Sequence, residues 1–195
     1  MRRWGTALAA IVLAGAGLAG TAGTAGAAQT ATAGTAAACA TGWGSGDKTA
    51  PSGNYKPLEN IRTGQHECFD RMVFDVKGAT AADQVRFDVR YVDALHQDGS
   101  GDPIPVNGGA ILDIRVGAPS YDYESGRSTY PGKARQPLPG VNVTGYKTFR
   151  DTRYAASFEG DTQVGLGVRA RLPFRVFQSD GKVIVDVAHS WTAAR

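Results

Sequence analysis

Glutamate, histidine and cysteine are scarce in this chain of 195 residues, with four, three and two copies. Cys39 and Cys68 are too few and too far apart for a four-ligand zinc site or a C-x-x-C redox pair. His66, His96 and His189 lack ligand spacing, so they read as surface or hydrogen-bonded residues, and no metal is expected. Glu59, Glu67, Glu124 and Glu159 give no sign of two carboxylates opposed across a cleft, as a glycosidase needs. Missing too are a G-x-S-x-G elbow and a phosphate loop, and His66-Glu67-Cys68-Phe69-Asp70 starts like H-E-x-x-H but ends in Asp. Nor does one sign of charge dominate. The net +3 falls to +1 without Arg2 and Arg3, whereas a nucleic-acid binder clusters Lys and Arg along a face. The expectation is a protein without catalytic motif, cofactor or nucleic-acid partner.

Charge is absent altogether from Trp4 to Gly46. Met1-Arg2-Arg3 is a cationic start, Trp4 to Gly20 is apolar but diluted by Gly, Ala and Thr, and Ala25-Gly26-Ala27 offers the small-x-small pattern of signal cleavage. Residues 1–27 are predicted to be a signal peptide cut after Ala27, not a stable membrane anchor, which needs about 20 strongly apolar residues. Cys39 lies too late and lacks the preceding Leu of a lipoprotein signal. From Gly20 to Gly42, 21 of 23 residues are Gly, Ala or Thr, so residues 28–54 read as a flexible spacer with little side chain to bury. Both cysteines follow the predicted cleavage point. Export exposes them to an oxidising compartment, and a Cys39–Cys68 disulfide is predicted.

Beyond Lys56 the apolar residues alternate. Val85, Phe87, Val89 and Tyr91 share one face of a strand; Met72, Phe74 and Val76, then Leu112, Ile114 and Val116, then Val164, Leu166 and Val168 repeat the pattern. Phe174–Phe177 and Val183–Val187 flank Ser179-Asp180-Gly181-Lys182, whose Asp-Gly supplies the positive φ of a tight hairpin turn. Leu58–Arg62, Ile104–Val106, Tyr146–Arg150 and Tyr154–Phe158 complete about nine or ten short strands, and only Thr80–Asp83 fits the start of a helical turn. This is the pattern of an all-β sandwich or barrel. Asp98-Gly99-Ser100-Gly101-Asp102 lacks the closing ligands of a calcium loop and reads as a turn. One long stretch, Gly117–Gly140, holds four Pro, four Gly and three Tyr without periodicity, the mark of an irregular functional or mobile loop.

The segment from Ile61 to Asp75, with Arg62-Thr63-Gly64, His66 and Asp70-Arg71-Met72-Val73-Phe74, resembles the hallmark of the AMIN-like domain of secreted proteins and lipoproteins of actinobacteria. Asp98-Gly99-Ser100-Gly101, Ser157-Phe158-Glu159-Gly160 with Gly165-Leu166-Gly167, and Pro173-Phe174-Arg175-Val176 leading to His189 follow in order. The resemblance implies a compact β-sandwich over residues 55–191, located in the cell envelope and carrying no catalytic residues. Asp70 and Arg71 are neighbours, so they point to opposite faces of their strand; one of them is expected to brace a loop through Arg62 or His66. The expected function is a secreted, non-catalytic domain, extracellular or wall-associated, that binds peptidoglycan or another wall glycan. The alternatives are a module that holds a secreted protein partner, and an unrecognised hydrolase. Within the long loop, Tyr121, Tyr123 and Tyr130 offer ring faces to sugars and Arg127 a cation for a carboxylate or phosphate; packing of these tyrosines onto the sandwich is the competing reading.

Overall fold

A computed structural model describes residues 39, 42–51 and 56–191. The predicted signal peptide, residues 1–27, lies outside the described residues.

Among the described residues eleven strands form three antiparallel sheets and no helix occurs. In chain order they are β1 (Lys48–Ala50), β2 (Leu58–Gln65), β3 (Phe69–Val76), β4 (Phe87–Val92), β5 (Leu95–His96), β6 (Pro103–Ile104), β7 (Ala110–Val116), β8 (Phe149–Phe158), β9 (Asp161–Val168), β10 (Phe174–Ser179) and β11 (Lys182–Ala188). A five-stranded sheet runs β1-β4-β7-β9-β8, a four-stranded sheet runs β10-β11-β3-β2, and β5–β6 is a small ribbon.

The period-2 residues fill the space between the two large sheets. Met72, Phe74 and Val76 of β3 and Val183, Val185 and Val187 of β11 join one core with Leu112, Ile114 and Val116 of β7 and Val164, Leu166 and Val168 of β9. Burial of such side chains is the main stabilising term, at roughly 1.5–3 kcal/mol for each large aliphatic group. In β9, however, every residue is buried, because its second face is covered too. Gly165 and Gly167 lie on that face. A Cβ at Gly165 would stand 2.3 Å from Leu95 Cδ2, and one at Gly167 1.9 Å from the carbonyl oxygen of Asn107. The glycines therefore let the β5–β6 ribbon lie directly on β9, where Leu95, Ile104 and Ala155 make a second small apolar cluster.

The β10–β11 turn has the predicted form, with Asp180 at φ 46° and Gly181 at φ 73°. Tyr146–Arg150 and Tyr154–Phe158 are not two strands. The pairing of β8 with β9 starts at Phe149 and continues through two register shifts, at Phe149/Asp151 and Tyr154/Ala156, which hide the alternation. Thr80–Asp83 is a turn closed by Asp83 N–H donating to the Thr80 carbonyl at 3.1 Å. Within the stretch whose composition reads as a spacer, Lys48–Ala50 pairs with Phe87–Val89 and the Phe174 N–H donates to the Gly44 carbonyl at 2.9 Å. Those contacts are made mainly by backbone, which composition does not report.

Candidate functional site

Strand β3 sends Asp70 and Arg71 to opposite faces, and each has its own partners. Asp70 is fully buried. Its Oδ2 accepts the N–H of Thr148 at 2.6 Å and of Phe149 at 3.0 Å, and its Oδ1 meets His189 Nε2 at 3.0 Å. The other nitrogen of that ring, Nδ1, lies 3.1 Å from the Glu67 carbonyl. Asp70 thus pins the entry to β8 and the end of β11. Arg62 and His66, the braces expected from sequence, do not take part: Arg62 forms a two-pronged pair with Asp75 at 2.9 and 3.1 Å, and His66 stacks on Phe69 with ring centroids 4.5 Å apart. The reason is strand geometry, because Arg62 lies opposite Val73 on the other face of the sheet from Asp70.

On that other face Arg71 stands in register with Asp186 of β11, which in turn stands opposite Arg175 of β10. Asp186 has no exposed surface. It accepts from Arg71 Nε at 2.6 Å and Nη2 at 2.9 Å, and from Arg175 Nε at 2.9 Å, while Arg175 Nη2 also lies 2.9 Å from it. The hydrogen bond to Asp186 raises the Arg71 pKa above its ordinary value, so this guanidinium stays charged. Two cations share one anion, and both arginine side chains retain exposure, 25% for Arg71 and 41% for Arg175. Neither Nη1 makes a hydrogen bond among the described residues.

Rings surround the pair. The Arg175 guanidinium carbon lies 4.5 Å from the centre of the Trp43 ring and 5.0 Å from that of Phe177; that of Arg71 lies 5.1 Å from Phe69. Cation–ring contacts of this length contribute on the order of 0.5–1 kcal/mol at exposed sites. Trp43 meets Phe69 edge-on at 5.8 Å between centroids. It comes from the segment tethered by the predicted disulfide, which is present: Cys39 and Cys68 are bonded with Cα atoms 5.4 Å apart, and Cys68 directly precedes Phe69. The result is a half-exposed plate of Trp43, His66, Phe69, Arg71, Arg175 and Phe177.

The Gly117–Gly140 stretch behaves differently. It is held by its own bonds: Asp122 accepts from the Ser125 N–H at 2.8 Å and hydroxyl at 2.6 Å, and Tyr121 bridges to Ser128. These contacts depress the Asp122 pKa below its ordinary value, the Ser125 hydroxyl bond being the larger cause. Of the residues singled out there, Tyr123 is 53% exposed and meets the half-buried Tyr121 at 5.2 Å, and Arg127 is exposed. Tyr130 is a core residue instead. It is 3% exposed, its hydroxyl donates to the Pro139 carbonyl at 3.0 Å, and burial raises its pKa. It offers no face to a sugar, since its ring joins the main core and lies 6.3 Å from that of Tyr154. Asp98–Asp102 is the expected tight turn, with Asp98 bound to Arg115 Nη1 at 2.9 Å.

A sandwich with no helix among the described residues, one buried ionic ladder and a cationic aromatic face has the build of an all-β binding module. The model of the AMIN-like domain family matches residues 56–189, and the chain belongs to that family. Domains of this family are associated with the cell envelope and are generally non-catalytic. No curated protein and no solved structure matches the chain. Among the described residues no helix is long and apolar enough to cross a membrane.

Reasoning from sequence missed the plate. Residues 162–179 hold Arg169, Arg171 and Arg175 and no carboxylate, which is the one signal that pointed there. The register that brings Arg175 beside Arg71 is a property of the fold.

Proposed function

We propose that this domain is an exported, non-catalytic envelope module that holds an acidic wall glycan on the outer face of the four-stranded sheet. The observation that carries the reading is the Arg71–Asp186–Arg175 ladder, in which two guanidiniums meet one buried carboxylate and keep one positive charge in excess among aromatic rings. Guanidinium Nη1 donors suit the carboxylate or phosphate of such a polymer, and the exposed parts of Trp43, Phe69 and Phe177 supply apolar contact to sugar rings. The Tyr121–Tyr123 tip of the long loop takes a secondary place, since only Tyr123 exposes most of a ring.

Cosedimentation with isolated cell walls tests the proposal. Binding is expected to survive removal of wall proteins, to be lost when wall polysaccharide is removed, and to fall about tenfold in Arg175→Gln, which leaves Asp186 paired with Arg71. Retention on walls stripped of polysaccharide would replace the glycan by a protein partner. The Arg175→Gln result separates the plate from the loop.

A further inference from the structure

The four-stranded sheet ends in β2, which bonds to β3 on one side and has no strand on the other among the described residues. Its register shows which groups are left over. The His66 N–H donates to the Phe69 carbonyl at 2.9 Å, so Gly64 with Arg71 and Arg62 with Val73 are the bonded pairs, and the backbone groups of Ile61, Thr63 and Gln65 aim outward. The long loop covers only the start of the strand, where the Leu58 N–H donates to the Pro119 carbonyl at 2.8 Å. No outward group of Ile61, Thr63 or Gln65 has a backbone partner among the described residues. Such groups persist unpaired only where water reaches them, and Gln65 is exposed while Thr63 is half-buried. The outer edge of β8, by contrast, is capped: the Arg135 N–H donates to the Tyr154 carbonyl and the Tyr154 N–H to the Gln136 carbonyl, both at 2.9 Å.

Gly64 sits in this edge without a local reason. Its φ lies outside the left-handed region, and a Cβ there would meet only the far end of His66, at 3.9 Å. An unforced glycine weakens a strand interior and commonly marks the close approach of another backbone. Two cations stand beside the same edge on its core side. The Tyr146 hydroxyl donates to Thr63 Oγ1 at 3.0 Å, and the Arg150 guanidinium is fixed at the other end of that tyrosine, donating to the Tyr146 carbonyl at 2.7 Å and the Lys147 carbonyl at 3.0 Å. The length of one tyrosine side chain thus sets how far this cationic turn stands from Thr63. Lys147 and Arg150 are both exposed, and neither has a carboxylate partner among the described residues. Thr63 shares its face of β2 with the buried Ile61, and residues that pair across strands share a face, so an added strand would turn the side chains opposite Thr63 and Gln65 toward these cations.

We propose that the β2 edge from Ile61 to Gln65 docks an extended acidic segment of a partner protein, whose backbone pairs with Ile61, Thr63 and Gln65 and whose carboxylates, on alternate residues, meet Lys147 and Arg150. The mode is strand addition, with charge selecting the sequence that is added. It is independent of the glycan reading, since it uses backbone groups and cations outside the plate.

The test is titration of the ¹⁵N-labelled protein with a short capped peptide of alternating Thr and Glu, beside the same peptide with Lys for Glu and a form N-methylated at each Glu. The N-methyl form keeps the charge and removes the donors that face β2. Saturable shifts at the amides of Ile61, Thr63 and Gln65 are expected with the glutamate peptide. The lysine and N-methyl forms are each expected to bind about tenfold more weakly, and Lys147→Glu to weaken the glutamate peptide by a similar factor while strengthening the lysine form. Absence of a saturable shift up to about 10 mM glutamate peptide would overturn the proposal. So would equal affinity for the glutamate and lysine forms, undiminished binding of the N-methyl form, or shifts confined to the Arg71–Arg175 face. Concentration-dependent broadening at Ile61–Gln65 without peptide would overturn it as well, by giving the edge to a second copy of this chain.

Discussion

Replacing Asp70 by Ala removes the acceptor of three donors at once: the N–H groups of Thr148 and Phe149 and the Nε2–H of His189. The His189 ring sits between two acceptors, the Asp70 carboxylate and the Glu67 carbonyl. Without the carboxylate, the two buried N–H groups and the His189 ring lose a partner, at about 1–3 kcal/mol for each buried group. These losses are not fully additive, so the expected loss for Asp70→Ala is about 3–5 kcal/mol, or about 10–15 °C in melting temperature for a domain of this size. Asp70→Asn is a sharper probe. Its amide oxygen can accept the two backbone N–H groups while its NH₂ donates to a neutral His189 that keeps Nδ1–H on the Glu67 carbonyl. All three contacts survive and only the charge is lost, for about 1–2 kcal/mol. Urea unfolding followed by tryptophan fluorescence measures both variants. A loss below about 1 kcal/mol in Asp70→Ala, or equal losses in the two variants, would refute the reasoning.

Gly167→Ala should destabilise by about 1–3 kcal/mol or more, because the new Cβ meets the Asn107 carbonyl, which is backbone and cannot swing away; thermal unfolding reads it, and wild-type stability would contradict the account of the ribbon. The double variant Cys39→Ser, Cys68→Ser should lose about 3–4 kcal/mol in the same assay, the chain-entropy value for a closed loop of this length, and should leave Trp43 more solvent-exposed by fluorescence. Burial raises the Tyr91 pKa to about 12 from its ordinary 10.0. Below pH 10 the phenol is neutral in both states and its contribution is complete; between pH 10 and about 12 the unfolded chain loses the proton first, so stability falls as pH rises. Tyr91→Phe should flatten that alkaline slope, and an unchanged slope would place the loss at Tyr130 and Tyr154, whose pKa values are also raised by burial.

What could be read in advance was whatever short-range geometry writes into the chain. Alternation at Val85, Phe87 and Val89 names a strand and its inward face, and Asp180-Gly181 names a turn. Lys48–Ala50 is three residues long, too short for any period, and β8 loses its alternation at two bulges. The partners of Asp70 and Arg71 lay further out of reach: His189 is 119 residues from Asp70 and Asp186 is 115 from Arg71. Only strand order brings them together. Tyr130 was misplaced for a related reason, since aromatic residues in a proline-rich stretch look alike whether they face water or the core, and the Tyr130–Tyr154 contact at 6.3 Å is long-range.

The central claim is that the outer face of the four-stranded sheet, not the long loop, meets the wall glycan. Mapping amide and indole shifts of the ¹⁵N-labelled domain with a soluble acidic wall polysaccharide tests it most directly. The account predicts saturable shifts at the Trp43 indole and the amides of Phe69, Arg71, Arg175 and Phe177, which in Arg175→Gln saturate only at about tenfold more polysaccharide. Shifts confined to Tyr121–Ser128, or none with a polysaccharide that the intact wall presents, would contradict it.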